Sequence, residues 1–277
     1  MRIFRGDIAG ALECFNECQV IYDKVRHPTQ IPYVRCGFAL LAWREGRVED
    51  CRRLFEEAIT VCRRIIEHGA MYFTTREIDF QLMYVYILEE QGDFTAMQGH
   101  ALETIQTYHK MYTHGEIDYS LGQALAALSR AEAHLGDFTA AREHLQQAIS
   151  AWLEGRYSDW ALFGLYYWSR LLVAERDSPE RRRLALELLA FVQNHPLLEW
   201  VDYHQAIFGK PALPEIERAV EEISVGLPEE VVAEAMEAGR ELKLKDVAHE
   251  ISLGKGRYAG SGLEQIPGSE AVLAIIP

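Results

Sequence analysis

The sequence is poor in proline, in basic residues and, beyond its first quarter, in cysteine. Only nine of its 277 residues are proline and Val/Thr/Ile-rich runs are few, so a helical class is the first expectation. Its five cysteines, Cys14, Cys18, Cys36, Cys51 and Cys62, all precede position 63. They show neither zinc-type CxxC spacing nor the density of a disulfide-stapled secreted domain. Cys14 and Cys18 would supply half a metal site, but no neighbouring His or Cys completes it. Reduced thiols in a cytoplasmic protein are the expected reading. No charged segment followed by an apolar core opens the chain, and no apolar run approaches the roughly 20 residues of a membrane helix. Acidic residues outnumber basic ones by 42 to 28, for a formal charge of −14. A nucleic acid would be repelled by such a surface. The short clusters Arg52-Arg53, Arg63-Arg64 and Arg181-Arg182-Arg183 read as solvated helix faces.

What is present is a repeat. Four segments align from a glycine: GDIAGALECFNECQVIY from Gly6, GRVEDCRRLFEEAITVC from Gly46, GDFTAMQGHALETIQTY from Gly92 and GDFTAAREHLQQAISAW from Gly136. Each carries apolar or small residues at offsets 2, 5, 9, 12 and 16, a spacing that lines one stripe of an α-helix. In the second copy these are Val48, Cys51, Phe55, Ala58 and Cys62; in the fourth, Phe138, Ala141, Leu145, Ala148 and Trp152. The glycine closes the preceding helix in the left-handed conformation, and Asp7, Asp93 and Asp137 are placed to cap the next. Arg47 lacks that capacity. Partner helices are expected upstream, over Ile31–Glu45, Met71–Gln91 and Glu116–Leu135. A fifth unit pairs a helix over Tyr157–Glu175 with one starting at Pro179, capped by Ser178. Each first helix, turn and second helix make an antiparallel hairpin. The spacings of 40, 46 and 44 residues between glycines, then 41 to Asp177, give an all-α solenoid of period 40–46. Its expected division is repeats over 1–196, a helical C-terminal cap over 197–253 and a flexible tail over 254–277. Within the cap, short helices are expected in WVDYHQAIFGK, from Pro214, after Pro228 and near Lys243.

The glycine, the small residue five later, the bulky one at nine and the small one at twelve resemble the second helix of the tetratricopeptide repeat. Cys18 and Cys51 stand where that family usually has alanine, so they read as packing residues. The first unit lacks its first helix, which makes the chain look like the C-terminal piece of a longer protein. A second resemblance lies in LPEEVVAEAMEAGRELKLKDVAHEI, through Leu227, Pro228, Ala235, Gly239, Leu242, Leu244, Val247 and Ile251. It is similar to the C-terminus of large bacterial signal-transduction ATPases, many of them LuxR- or AfsR-type transcriptional regulators. The resemblance implies a non-catalytic domain that binds a protein, a peptide or a small effector. Nucleotide and DNA would engage only domains absent from this chain, for it holds neither a GxxxxGK[ST] phosphate loop nor a DNA-reading module. The alternative is a stand-alone tetratricopeptide scaffold for a peptide or helix of a partner.

A search for chemistry finds none. The ten histidines, among them His109, His114, His195 and His204, form no HExxH motif, and no serine has a GxSxG context. No catalytic, metal or cofactor site is expected, and no membrane partner. GKGRYAG has the wrong spacing for a glycine loop. The pairs Glu89-Glu90 and Glu221-Glu222 read as charged helix faces. Transferring the family's groove positions gives Tyr33, Trp43 and Arg44 in the second unit, then Asp79, Tyr86 and Glu90, then Gln123 and Arg130. The fifth unit gives Phe163, Tyr166 and Arg170, with Tyr157 beside them. Arg130 and Arg170 stand 40 residues apart at equivalent places. They would either grip a carboxylate or phosphate together or form salt bridges between hairpins. Of the seven aromatics from Trp152 to Trp168, most are expected in the core, with Tyr157 and Tyr166 the candidates for contact with a ligand.

Overall fold

The computed structural model describes residues 7–25, 28–112, 119–198 and 212–258. Among them are twelve α-helices and no strand. They are α1 (Ile8–Val25), α2 (Ile31–Arg44), α3 (Val48–Glu67), α4 (Phe73–Glu90), α5 (Phe94–Met111), α6 (Tyr119–Leu135), α7 (Phe138–Glu154), α8 (Ser158–Glu175) and α9 (Pro179–Asn194), followed by α10 (Ala212–Ser224), α11 (Glu229–Arg240) and α12 (Leu244–Ser252). None is long and apolar enough to cross a membrane.

The turns form as their residues dictate. Gly46, Gly92 and Gly136 have φ of 72°, 70° and 89°, so the chain reverses there without a side chain to clash. After Gly92, the Asp93 N–H donates back to the Leu88 carbonyl at 3.0 Å, while the Asp93 carboxylate accepts from Ala96 N–H at 3.1 Å. Asp137 repeats this with Ala140, Asp7 accepts from Gly10 N–H, and Ser178 caps α9. Arg47 makes no such cap. Its guanidinium instead bridges Glu45 and Asp50.

Every helix from α1 to α9 packs against the next in sequence, which stacks the hairpins into an all-α solenoid. The stripes supply the glue. Cys51, Phe55, Ala58 and Cys62 are fully buried, as are Met97, Ala101 and Thr104 in α5 and Ala141 and Ala148 in α7. Burial pushes the Cys51 and Cys62 thiols up to about 12, so both stay protonated packing groups. Cys18 differs from its counterpart Cys51: it is exposed. Among the described residues α1 packs chiefly against α2, and the Cys18 side of its stripe is left uncovered. Among the described side chains of that helix, Ala11 alone is buried.

The first helices of the hairpins form the inner row. α4 packs directly on α6 and α6 on α8, whereas α3, α5, α7 and α9 approach one another less closely. That asymmetry curves the stack with α4, α6 and α8 on the concave side. α10 continues this row by packing beside α8 and α9. α11 lies on α9, and α12 folds back onto α7 and α8. Of the stretch expected as tail, residues 254–258 are described and Tyr258 docks, only 2% exposed. Trp168 Nε1–H donates to the Tyr258 carbonyl at 2.7 Å, and Tyr258 O–H donates to Glu187 Oε2 at 2.7 Å. The helix expected in WVDYHQAIFGK, His114, His204 and residues 259–277 lie outside the described residues.

Candidate functional site

A cavity of about 430 Å³ opens on the concave side, where the C-terminal halves of α6 and α8 meet α10. Helix geometry places its walls. Arg130 and His134 are one turn apart on α6, and Tyr166, Arg170 and Ala174 succeed one another at i, i+4 and i+8 on α8. Glu89 of α4 closes one side, and Glu222 and Ile223 of α10 the other. Apolar surface comes from Ala133, Leu145, Leu171 and Val173.

Arg130 is the fixed element of the site. Its Nε donates to Glu89 Oε1 at 2.8 Å and its Nη2 to Glu89 Oε2 at 3.1 Å. The guanidinium also lies 4.2 Å from the Tyr167 ring centre and 5.5 Å from that of Tyr86, a cation–π sandwich. Its side chain is 10% exposed. Burial works against the charge, yet the Glu89 carboxylate beside it outweighs that cost and raises the Arg130 pKa. Tyr167 and Tyr166 are pushed upward by burial and stay neutral phenols. Arg170 is held differently. It pairs with Glu222 at 2.5 Å, both side chains close to half exposed. Arg182 completes the charged rim, donating to Asp177 from Nε and Nη2, each at 2.5 Å, and from Nη1 to the Val225 carbonyl.

Of the twelve expected groove residues, Arg130, Tyr166 and Arg170 line the cavity together. Tyr86 backs Arg130, and Phe163, itself buried, stacks on Tyr166 at 5.3 Å. Trp43 Nε1–H donates to Glu90 at 2.9 Å, and Arg44 covers the Trp43 ring. These join α2 to α4 farther along the same row, outside the cavity. Tyr33 packs on Phe73 and Phe80, and Asp79 pairs with Arg76. Gln123 is buried, 6% exposed, and lies outside this cavity. Tyr157 stands at the opposite end of α8 against Tyr119. Trp152, Trp160, Phe163 and Trp168 are core residues.

Sequence reasoning missed Glu89 and Glu222, each hidden in a glutamate pair that reads as a solvated face. Both are counter-ions: Glu89 stands 41 residues before Arg130 and Glu222 52 after Arg170. The first separation falls within the repeat period, a signal present in the spacing. Tyr167 disappears into the aromatic run, and nothing local marks Arg182. Among the described residues, no three His, Cys, Asp or Glu side chains gather as metal ligands. Compared with protein-family models and with curated proteins, the chain matches none.

Proposed function

We propose that this chain is a non-catalytic ligand- or partner-binding domain whose working surface is the concave row of α4, α6, α8 and α10. The observation that carries the reading is the convergence of Arg130, Tyr166 and Arg170, from two repeats, on one cavity roofed by the helix that ends the row. Its volume lies within the range of small-molecule sites, and its walls combine apolar area with a few placed polar groups. Together with the resemblance of residues 227–251, this supports a sensor role in a bacterial ATPase-type transcriptional or signalling regulator. Binding would bias such a regulator only through different affinity for its two states. Ala133→Trp, which fills the cavity from α6, tests the reading. A fragment set screened by ligand-observed NMR should give hits on the native chain that this variant loses. Hits that all survive it, with the fold intact by circular dichroism, would move the site elsewhere. The regulator assignment has its own test: DNA upstream of the Met1 codon should encode a phosphate loop in frame.

A stand-alone scaffold for a peptide or helix of a partner is the second reading. It is favoured by the exposed apolar side chains of Leu12, Val20 and Ile21 on α1. Pull-down by the native chain and by a variant with those three residues changed to glutamine separates the two readings.

A further inference from the structure

The two arginines of the cavity are not equivalent, and their difference specifies a ligand. Arg130 is committed: it makes a bidentate pair with a carboxylate and lies against two aromatic rings, its side chain 10% exposed. A ligand anion could take it only by breaking both hydrogen bonds to Glu89 and leaving that half-buried carboxylate without its partner. Arg170 is exchangeable. Its pair with Glu222 is a single contact between side chains 44% and 50% exposed, where solvent screening leaves little net attraction. Its neighbour Arg182 lies on the same wall, and Asp177, which holds it, is 54% exposed. In a molecule of formal charge −14, this cavity presents three arginines against two glutamates. Ser129 and His134 also line it, and the remainder, including Ala133, Leu145, Leu171, Ile223 and the Tyr166 ring, is apolar or aromatic.

We infer that the cavity takes a compact amphipathic monocarboxylate, whose anionic head replaces Glu222 on Arg170 and whose apolar body lies between Tyr166 and Ile223. The inference rests on the cavity being the ligand site, as proposed above. A planar carboxylate meets a guanidinium with two parallel hydrogen bonds, which Glu222, reaching across from α10 through one oxygen, does not make. A nucleoside polyphosphate fits poorly, because it would bring several negative charges to a wall where Arg182 is held by Asp177 and the Val225 carbonyl and Arg170 alone is bound by a single contact. Glu222 is thus an internal competitor. Since it ties α10 to α8, its displacement removes one polar contact between these helices, while Ile216, Ala219 and Ile223 keep α10 packed in the core.

The test uses phenylpropionate and its neutral analogue phenylpropionamide, titrated calorimetrically into the whole chain. The acid should bind about tenfold more tightly than the amide, the equivalent of about 1.4 kcal/mol. Arg170→Gln should abolish that preference, whereas Glu222→Gln should enlarge it by freeing the guanidinium. Equal binding of acid and amide to the native chain, or an acid preference that survives Arg170→Gln, overturns the inference. So does binding of neither compound at millimolar concentration. Ala133→Trp keeps the two readings apart: loss of both compounds in that variant supports the cavity even when charge preference fails. Retention of both refutes the cavity itself. A peptide ending in a free phenylalanine carboxylate, if it binds more tightly than the small acid, overturns the compact-ligand class.

Discussion

At the scale of single residues, exposure separates side chains that the sequence presents as equals. Arg130 and Arg170 occupy equivalent positions of successive repeats, but one is inside and the other at the rim. Arg130→Ala removes a charge-assisted bidentate pair and leaves Glu89 without its partner, an expected loss of about 2–3 kcal/mol. Arg170→Ala should change stability by no more than about 0.5 kcal/mol. Urea unfolding of the two variants measures this directly, and equal losses would contradict the assignment of roles. His100 gives a second prediction. Burial lowers its pKa from 6.5; Glu103 and Glu56 pull the other way and Arg63 assists. Its ring packs against Tyr84. Because the unfolded chain binds this proton first as pH falls, its contribution to stability is complete above pH 6.5. It is lost as the pH drops through the folded value. His100→Gln should therefore flatten the fall in melting temperature between about pH 7 and pH 5. Some slope will remain, because burial lowers His195 in the same direction.

At the scale of the helix, close approach decides the sign of a substitution. A Cβ on Gly239 of α11 would stand 2.3 Å from the Glu187 carbonyl oxygen of α9. That obstacle is backbone and cannot rotate away, so Gly239→Ala should cost about 1–3 kcal/mol by forcing the two helices apart. Gly99, midway along α5, has nothing within 4 Å of the added atom. Gly99→Ala should stabilise by roughly 0.5–1 kcal/mol through helix propensity and a less flexible unfolded chain. Thermal melting of the pair gives opposite shifts if the packing is as described. The hairpins themselves are legible in the sequence because every device that makes them is local: Gly92 and Asp93 punctuate, and Met97, Ala101 and Thr104 mark the buried face within a few turns. Cys18 is misread from sequence because its environment depends on what lies across the helix rather than along it. The cavity is half legible for the same reason. Register places Arg130 and Arg170 on one face, but their counter-ions lie 41 and 52 residues away. Only the stacking of helices, and for Glu222 the cap beyond the repeats, decides that they meet.

At the scale of the whole molecule, the solenoid has two unlike ends. α1 leaves Leu12, Val20 and Ile21 exposed, whereas the other end is sealed by α10, α11 and α12 and then fastened by residues 254–258. The fastening centres on Glu187 of α9, a carboxylate with no exposed surface. Such a charge survives burial only with partners. It accepts from Tyr258 O–H at 2.7 Å and lies 2.9 Å from Arg257 Nη2 and 3.4 Å from Arg183 Nε. Burial and this carboxylate both raise the Tyr258 pKa, which keeps the phenol a donor. Tyr258→Phe should cost about 1.5–3 kcal/mol, the worth of a hydrogen bond to a charged group. Glu187→Gln changes the same bond from the other side, so the double variant should lose less than the sum of the two, by about 1–2 kcal/mol of coupling. Truncation after Ser252 should lower the melting temperature more than Tyr258→Phe does. It also takes the carbonyl acceptor from buried Trp168 Nε1–H and the ring that covers the α8–α9 junction. An additive cycle, with a truncated chain melting like the native one, would mean that α12 and the cap hold their places without the strap. Non-additivity with a destabilised truncation would identify Glu187 as the anchor by which a five-residue segment closes a stack of four hairpins and the helix α1.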